Sequence, residues 1–151
     1  MKEHAGKTIY KRILSPLDGS TSSEGVLPHV LGIAQEMDTE IIFLHVIPSP
    51  APEFAGPPRP FAKDYVHDQK RKLTRYLKSL CAKLEKENTR VTYLIREGAV
   101  PETILEVAEI MQADMIAMTT QGRSAAQILL LGSVTYQVVR HSPLPMLVIR
   151  S

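Results

Sequence analysis

Apolar positions along the chain switch repeatedly between short continuous runs and longer stretches at helical spacing, the pattern of alternating strands and helices around a parallel sheet. The first run, Ile9 to Leu17, reads as a strand and ends at the turn Asp18-Gly19-Ser20. Thr21 and Glu24 then have the spacing of a capping box, and Val26, Leu27, Val30, Leu31, Ala34 and Met37 recur at helical intervals. Pro28 lies across that helix, so the pattern predicts a kink or a late start there. Glu40 to Ile47 is apolar and rich in branched residues, as a strand covered on both faces requires. From Lys63 to Glu87, Val66, Leu73, Leu77, Leu80 and Leu84 make the stripe of an amphipathic helix. Arg90 to Arg96 alternates like a strand. Pro101 suits the first position of the next helix, whose inner face is Ile104, Leu105, Ala108 and Met111. Asp114 to Met118 is a fourth strand, and a polar stretch and a leucine-rich turn then reach Gly132-Ser133, where a last helix runs to His141. Pro143 and Pro145 stop it, and Met146 to Arg150 is the final strand. The predicted order is β-α-β-α-β-α-β-α-β, with no internal repeat.

Six of the eleven prolines fall between Pro48 and Pro60, which excludes a helix or a central strand there and leaves either a functional flap or a surface insertion. With 151 residues the chain is the size of one domain, and residues 1–151 are read as such. The single Cys81 excludes an internal disulfide framework and every multi-cysteine metal site, and it suits a reducing compartment; on its helix it reads as a small buried apolar residue. A net charge of +2 is too small for a surface that wraps a polyanion, so nucleic acid is not an expected partner. The cluster Lys70-Arg71-Lys72 with Arg75 and Lys78 reads as a solvated helix face. Large apolar residues run at most four in a row, as at Ile41 to Leu44, Ile128 to Leu131 and Met146 to Ile149, far short of a membrane span, and Met1 to Lys7 has no apolar leader. The expected compartment is the cytoplasm, without a membrane partner.

Chemistry in an open parallel sheet collects at the carboxyl ends of the strands where the winding reverses, because the loops diverge there. Two segments should meet at that point: Pro16-Leu17-Asp18-Gly19-Ser20 after the first strand, and Met118-Thr119-Thr120-Gln121-Gly122-Arg123-Ser124 after the fourth. The second continues to Gly132-Ser133-Val134, which opens a helix whose first amides and dipole attract an anion. Asp18, beside a glycine at a strand end, is placed to accept hydrogen bonds from ribose hydroxyls or a base. Each residue also has a structural role open to it: Gly122 as a turn, Ser133 as a cap, Asp18 as a helix initiator.

Taken together, these segments resemble the universal stress protein family, within the wider adenine-nucleotide α-hydrolase-like group. The resemblance rests on Arg12 through Ser20, Leu44-His45-Val46, Gly98 with Pro101 before Ile104-Leu105-Glu106-Val107-Ala108, Ala113-Asp114-Met115-Ile116, Gly122-Arg123-Ser124 through Leu129-Leu130-Leu131-Gly132-Ser133-Val134, and Arg140 through Val148. It implies an open, Rossmann-like parallel sheet of order 3-2-1-4-5 with helices on both faces. It also implies a cytoplasmic homodimer joined through the last strand and, in one branch, binding of ATP or a related nucleotide such as AMP or ADP. That branch carries a glycine, two residues, a second glycine, nine residues, then glycine followed by Ser or Thr. Gly122, Gly132 and Ser133 match, while Thr119 stands where the first glycine is expected. By the same resemblance Asp18 and Val46 contact the adenosine, Pro16 lines that end, and Met118 and Thr119 lie near the ribose. The backbone of Gly122, Gly132 and Val134, with the Ser133 side chain, holds the phosphates, and magnesium bridging those phosphates would be held by them rather than by a protein cluster.

The implied function is a regulatory, nucleotide-binding stress-response protein. No Gly-x-x-x-x-Gly-Lys-Ser/Thr loop is present, and none of the five histidines has a catalytic or metal-ligating spacing, so no catalytic or metal residue is predicted and ATP hydrolysis should be slow at most. A nucleotide-free dimeric interaction module is the alternative that Thr119 keeps open.

Overall fold

The computed structural model describes residues 10–49, 62–120 and 131–151. Strand β1 is Arg12–Pro16, β2 Glu40–Pro48, β3 Val91–Gly98, β4 Met115–Thr119 and β5 Met146–Ile149. Helix α1 is Leu27–Met37, α2 Ala62–Glu85, α3 Val100–Ile110 and α4 Ser133–His141. The strands are all parallel and lie in the order β3-β2-β1-β4-β5, so the winding reverses between β1 and β4. The Pro-rich stretch from residue 50 onward and the leucine-rich turn at residues 121–130 lie outside the described residues.

Side-chain alternation along the strands sorts the core into two layers. Ile13, Ile41 and Phe43 face one way and pack with Val30 and Ala34 of α1 and Leu77, Leu80, Cys81 and Leu84 of α2. Leu14, Ile42, Leu44 and Val46 face the other way, against Ile104, Val107 and Ala108 of α3 and Val138 of α4. Both faces of the central strands are therefore covered, which is why β2 reads as an unbroken apolar run rather than an alternating one.

The first helix starts late. A 3-10 turn spans Ser23–Val26, and α1 begins at Leu27 with Pro28 in its first turn, where a missing amide hydrogen has no carbonyl to serve. The Thr21/Glu24 capping box does not describe this turn. Ser20 Oγ accepts from the Ser23 amide at 3.1 Å, and the Glu24 carboxylate accepts from Tyr76 Oη on α2 instead. Burial first, and the Glu24 carboxylate second, hold the Tyr76 phenol well above the usual tyrosine range. Strand β4 begins one residue later than its pattern, because Asp114 turns its carboxylate onto the amides of Lys11 and Arg12 at 2.7 and 3.0 Å. In the basic cluster of α2, Lys70 pairs with Glu97 and Lys72 with Asp68, both at exposed positions where such pairs add little stability.

Cys81 is buried in the α2 layer, and that burial, with Glu85 adding to it, pushes its thiol from 9.0 up to about 11. The native thiol thus keeps its proton to higher pH than the unfolded chain. Its share of stability is complete below about pH 9 and is lost as pH rises toward 11. Near pH 8 a thiol reagent such as DTNB should label the native protein far more slowly than the urea-unfolded chain; equally fast labelling would contradict this placement.

Candidate functional site

Two chain segments leave the sheet on opposite layers at the reversal point. After β1 the chain turns toward α1, and after β4 it returns as α4, so a hollow opens between them. A cavity of about 230 Å³ occupies it. Pro16, Leu17, Asp18 and Ser23 form its β1 side, and Leu44, His45, Val46 and Pro48 its β2 side. Val100 and Ile104 of α3 close one wall, while Met118 and Thr119 of β4 and Gly132 to Thr135 of α4 form the other. Pro16, Asp18, Val46, Met118, Thr119, Gly132, Ser133 and Val134, to which the resemblance gives ligand contacts, thus line one cavity, whereas Gly19, Ser20 and Thr120 of the two segments do not and Gly122 lies outside the described residues.

The β1 side is held by a small hydrogen-bonded turn. Gly19 has φ of +83°, a left-handed conformation that favours glycine, and it lets the chain double back after Asp18. Asp18 Oδ1 then accepts from the Ser20 amide at 2.8 Å, and the Asp18 amide donates to Ser23 Oγ at 3.4 Å. Ser23 Oγ in turn donates to the Ser20 carbonyl at 2.9 Å. Asp18 is half-buried and is the only formally charged side chain among the described lining residues.

On the opposite side, Gly132 adopts φ −59° and ψ 156°, an extended conformation open to any residue. Its amide donates to the Thr120 carbonyl, so the amides that serve the helix start are those of Ser133, Val134 and Thr135, which have no acceptor within the helix. Thr119 is buried, and its Cγ2 methyl lies 3.6 Å from where a Cβ on Gly25 would stand, over the 3-10 turn. The methyl therefore packs toward a glycine, and the β-branched residue coexists with an open cavity.

Sequence reasoning does not assign Ser23, Val100, Ile104 or Thr135 to the site. Ile104 carries a signal as an inner-face residue of its helix, and Thr135 as a polar residue in a helix first turn. His45, read as a strand residue, is one, and its buried ring also borders the cavity. Among the described residues no group of three or more His, Cys, Asp or Glu is arranged to hold a metal ion, and no helix is long and apolar enough to cross a membrane.

An open parallel sheet whose winding reverses at its middle, with helices on both faces, defines the doubly wound class of α/β folds, and the cavity lies at that reversal. The chain belongs to the universal stress protein family, whose model matches residues 9–150. It is 31% identical over 147 residues to the universal stress protein MJ0531 of Methanocaldococcus jannaschii, covering 96% of this chain and 85% of that one. The solved structure of MJ0577 from the same organism superposes with a TM-score of 0.73 at 32% identity, covering 95% of this chain and 97% of that one. A universal stress protein solved in complex with cAMP shares the fold, with a TM-score of 0.65 at 22% identity over 93% of this chain and 97% of that one.

Proposed function

We propose that this cavity binds ATP or a related adenine nucleotide and that the protein, a single universal stress protein domain over residues 1–151, acts as a regulatory stress-response protein. The observation that carries the reading is the convergence of Asp18 and the first turn of α4 on one cavity whose remaining walls are largely aliphatic. Apolar walls with a few convergent polar groups suit a flat base and a sugar, and a helix start suits an anion. At about 230 Å³ this partly open cavity is smaller than the roughly 300–1,000 Å³ of typical ligand pockets. It is sized for the nucleoside part, with phosphates running out along the start of α4.

In this reading Val46 and Pro16 border the base, Asp18 accepts from the ribose or base, and Met118 and Thr119 lie beside the ribose. Ser133 Oγ and the Ser133 and Val134 amides meet the phosphates, together with Gly132 and Gly122. Magnesium, when present, would neutralise phosphate charge; among the described residues no carboxylate cluster is arranged to hold it. No residue is assigned a catalytic role. The complex of a related fold with cAMP adds cyclic adenine nucleotides to the ligands worth titrating.

Self-association through β5 is part of the proposal. This strand is an edge of the sheet, half-buried along its length, and Tyr136 and Val139 stand exposed on the adjacent α4. An edge with no partner strand among the described residues is suited to a second copy of the chain. The proposed location is the cytoplasm.

Calorimetric titration of ATP, AMP and cAMP with magnesium present should give saturable binding to the wild type. Asp18→Ala should weaken it by about 10- to 100-fold, the loss expected when hydrogen bonds to a charged group are removed. If no nucleotide gives heat or a thermal shift, the nucleotide-free interaction module takes the place of this reading.

A further inference from the structure

The first turn of α4 is tied to the end of β4 by more than the chain between them. Thr135, the third residue of the helix, donates its hydroxyl to the Thr119 carbonyl at 2.9 Å, across a separation of 16 residues. One residue on, the Thr120 carbonyl accepts from the Gly132 amide. Two successive carbonyls at the end of β4 are thus clasped by the start of α4. Thr120 is itself anchored to β5: its amide donates to the Ile149 carbonyl at 2.8 Å, and its Oγ1 accepts from the Ser151 amide at 3.3 Å. Thr119, Thr120 and Thr135 are all buried.

Serine and threonine hydroxyls within helices commonly bond back to the carbonyl four residues earlier. Thr135 instead reaches a different element, so its bond constrains the rotation of α4 about its own axis and the height of its first turn over the sheet. Those two quantities decide where the Ser133 and Val134 amides lie. An anion gains most from donors that need no reordering when it arrives.

We propose that Thr135, with Thr120 completing the clasp, is a positioning residue that pre-organises the start of α4 for the phosphates of a bound nucleotide. This inference rests on the nucleotide reading of the cavity. It separates two parts of the ligand: the base and the Asp18 side of the ribose are held by the β1 and β2 walls, which the clasp does not touch, and the β4 wall meets it only through the Thr119 backbone carbonyl, while the phosphates depend on it. Thr135 also lines the cavity itself, so its substitution must preserve shape. Valine keeps the branched outline and removes only the hydroxyl.

The test compares ATP with adenosine. Thr135→Val should weaken ATP binding by about 5- to 10-fold, the loss of one buried hydrogen bond, and leave adenosine within about 2-fold of the wild type. Thr135→Ser, which keeps the hydroxyl, should restore most of the ATP affinity. An equal fall for ATP and adenosine, or unchanged ATP affinity, overturns the proposal. A second measurement keeps the clasp separable from the nucleotide reading: the Gly132 amide should exchange its hydrogen faster in Thr135→Val than in the wild type without any ligand. If the wild type binds neither ATP nor adenosine, the nucleotide reading and the phosphate role of the clasp fall together. Unchanged protection of Gly132 removes the clasp itself.

Discussion

Phe43→Ala is expected to destabilise the fold by about 3–5 kcal/mol, the cost of emptying a large buried site that its surroundings cannot close. Phe43 has no exposed surface, and it sits at the middle of β2 with Ser15 of β1 and Tyr93 of β3 on either side. Its ring points into the layer of α1 and α2, among Val30, Leu77 and Leu80. Strands on both flanks limit how far the backbone can collapse into the gap. Urea unfolding should show a large drop in the midpoint with little change in slope. A loss below about 1.5 kcal/mol would mean that the layer repacks freely, contrary to the close packing of ordinary protein interiors.

The second large effect is expected at Gly98, the last residue of β3. Its φ of +155° lies where side-chain-bearing residues are rarely found, and a Cβ built there would stand 2.5 Å from Thr103 Oγ1. Gly98→Ala therefore meets backbone strain of about 1–3 kcal/mol together with a contact that must be relieved by movement. Thr103 cannot easily retreat, because it is buried and its amide is bonded to the Ala99 carbonyl at 2.9 Å in the first turn of α3. The shift should pass to Val100 and Ile104, which wall the cavity, so stability and nucleotide affinity should fall together. Thr103→Ala added to Gly98→Ala removes the close contact and leaves the strain, so thermal unfolding should recover only in part. Full stability in the single variant would show that the turn can be made without a glycine.

Much of this fold is legible in the amino-acid pattern. The run at Glu40 to Ile47 appears as β2, the Leu77, Leu80, Leu84 stripe turns inward on α2, and Pro28 marks the late start of α1. Element ends differ from the pattern by one to three residues, β1 beginning at Arg12 rather than Ile9 and β4 after Asp114, whose carboxylate is taken up by the amides of Lys11 and Arg12. The capping box fails for a similar reason. Its Glu24 has a partner on α2, 52 residues away, and no local pattern reports a hydroxyl that arrives from another layer.

The site divides in the same way. Asp18, Gly132 and Ser133 are visible as residue types at strand ends and helix starts, since a turn or a first helical turn is decided within a few residues. Val100 and Ile104 are legible only as helix residues, and the clasp from Thr135 to Thr119 is not legible at all. The direction of the Thr119 methyl is likewise hidden, because it depends on Gly25 lying across from it in another layer.

By itself the amino-acid sequence determined which segments are strands, which are helices, and which positions are apolar on each, because these follow from periodicity along one chain. It also determined, through the resemblance, the family to which the fold belongs. Tertiary structure alone decided that one cavity joins the ends of β1 and β2 with α3 and the start of α4, and that the Thr119 methyl packs toward Gly25. Those outcomes are set by contacts and hydrogen bonds between residues far apart in the chain, whose geometry exists only once the layers have packed.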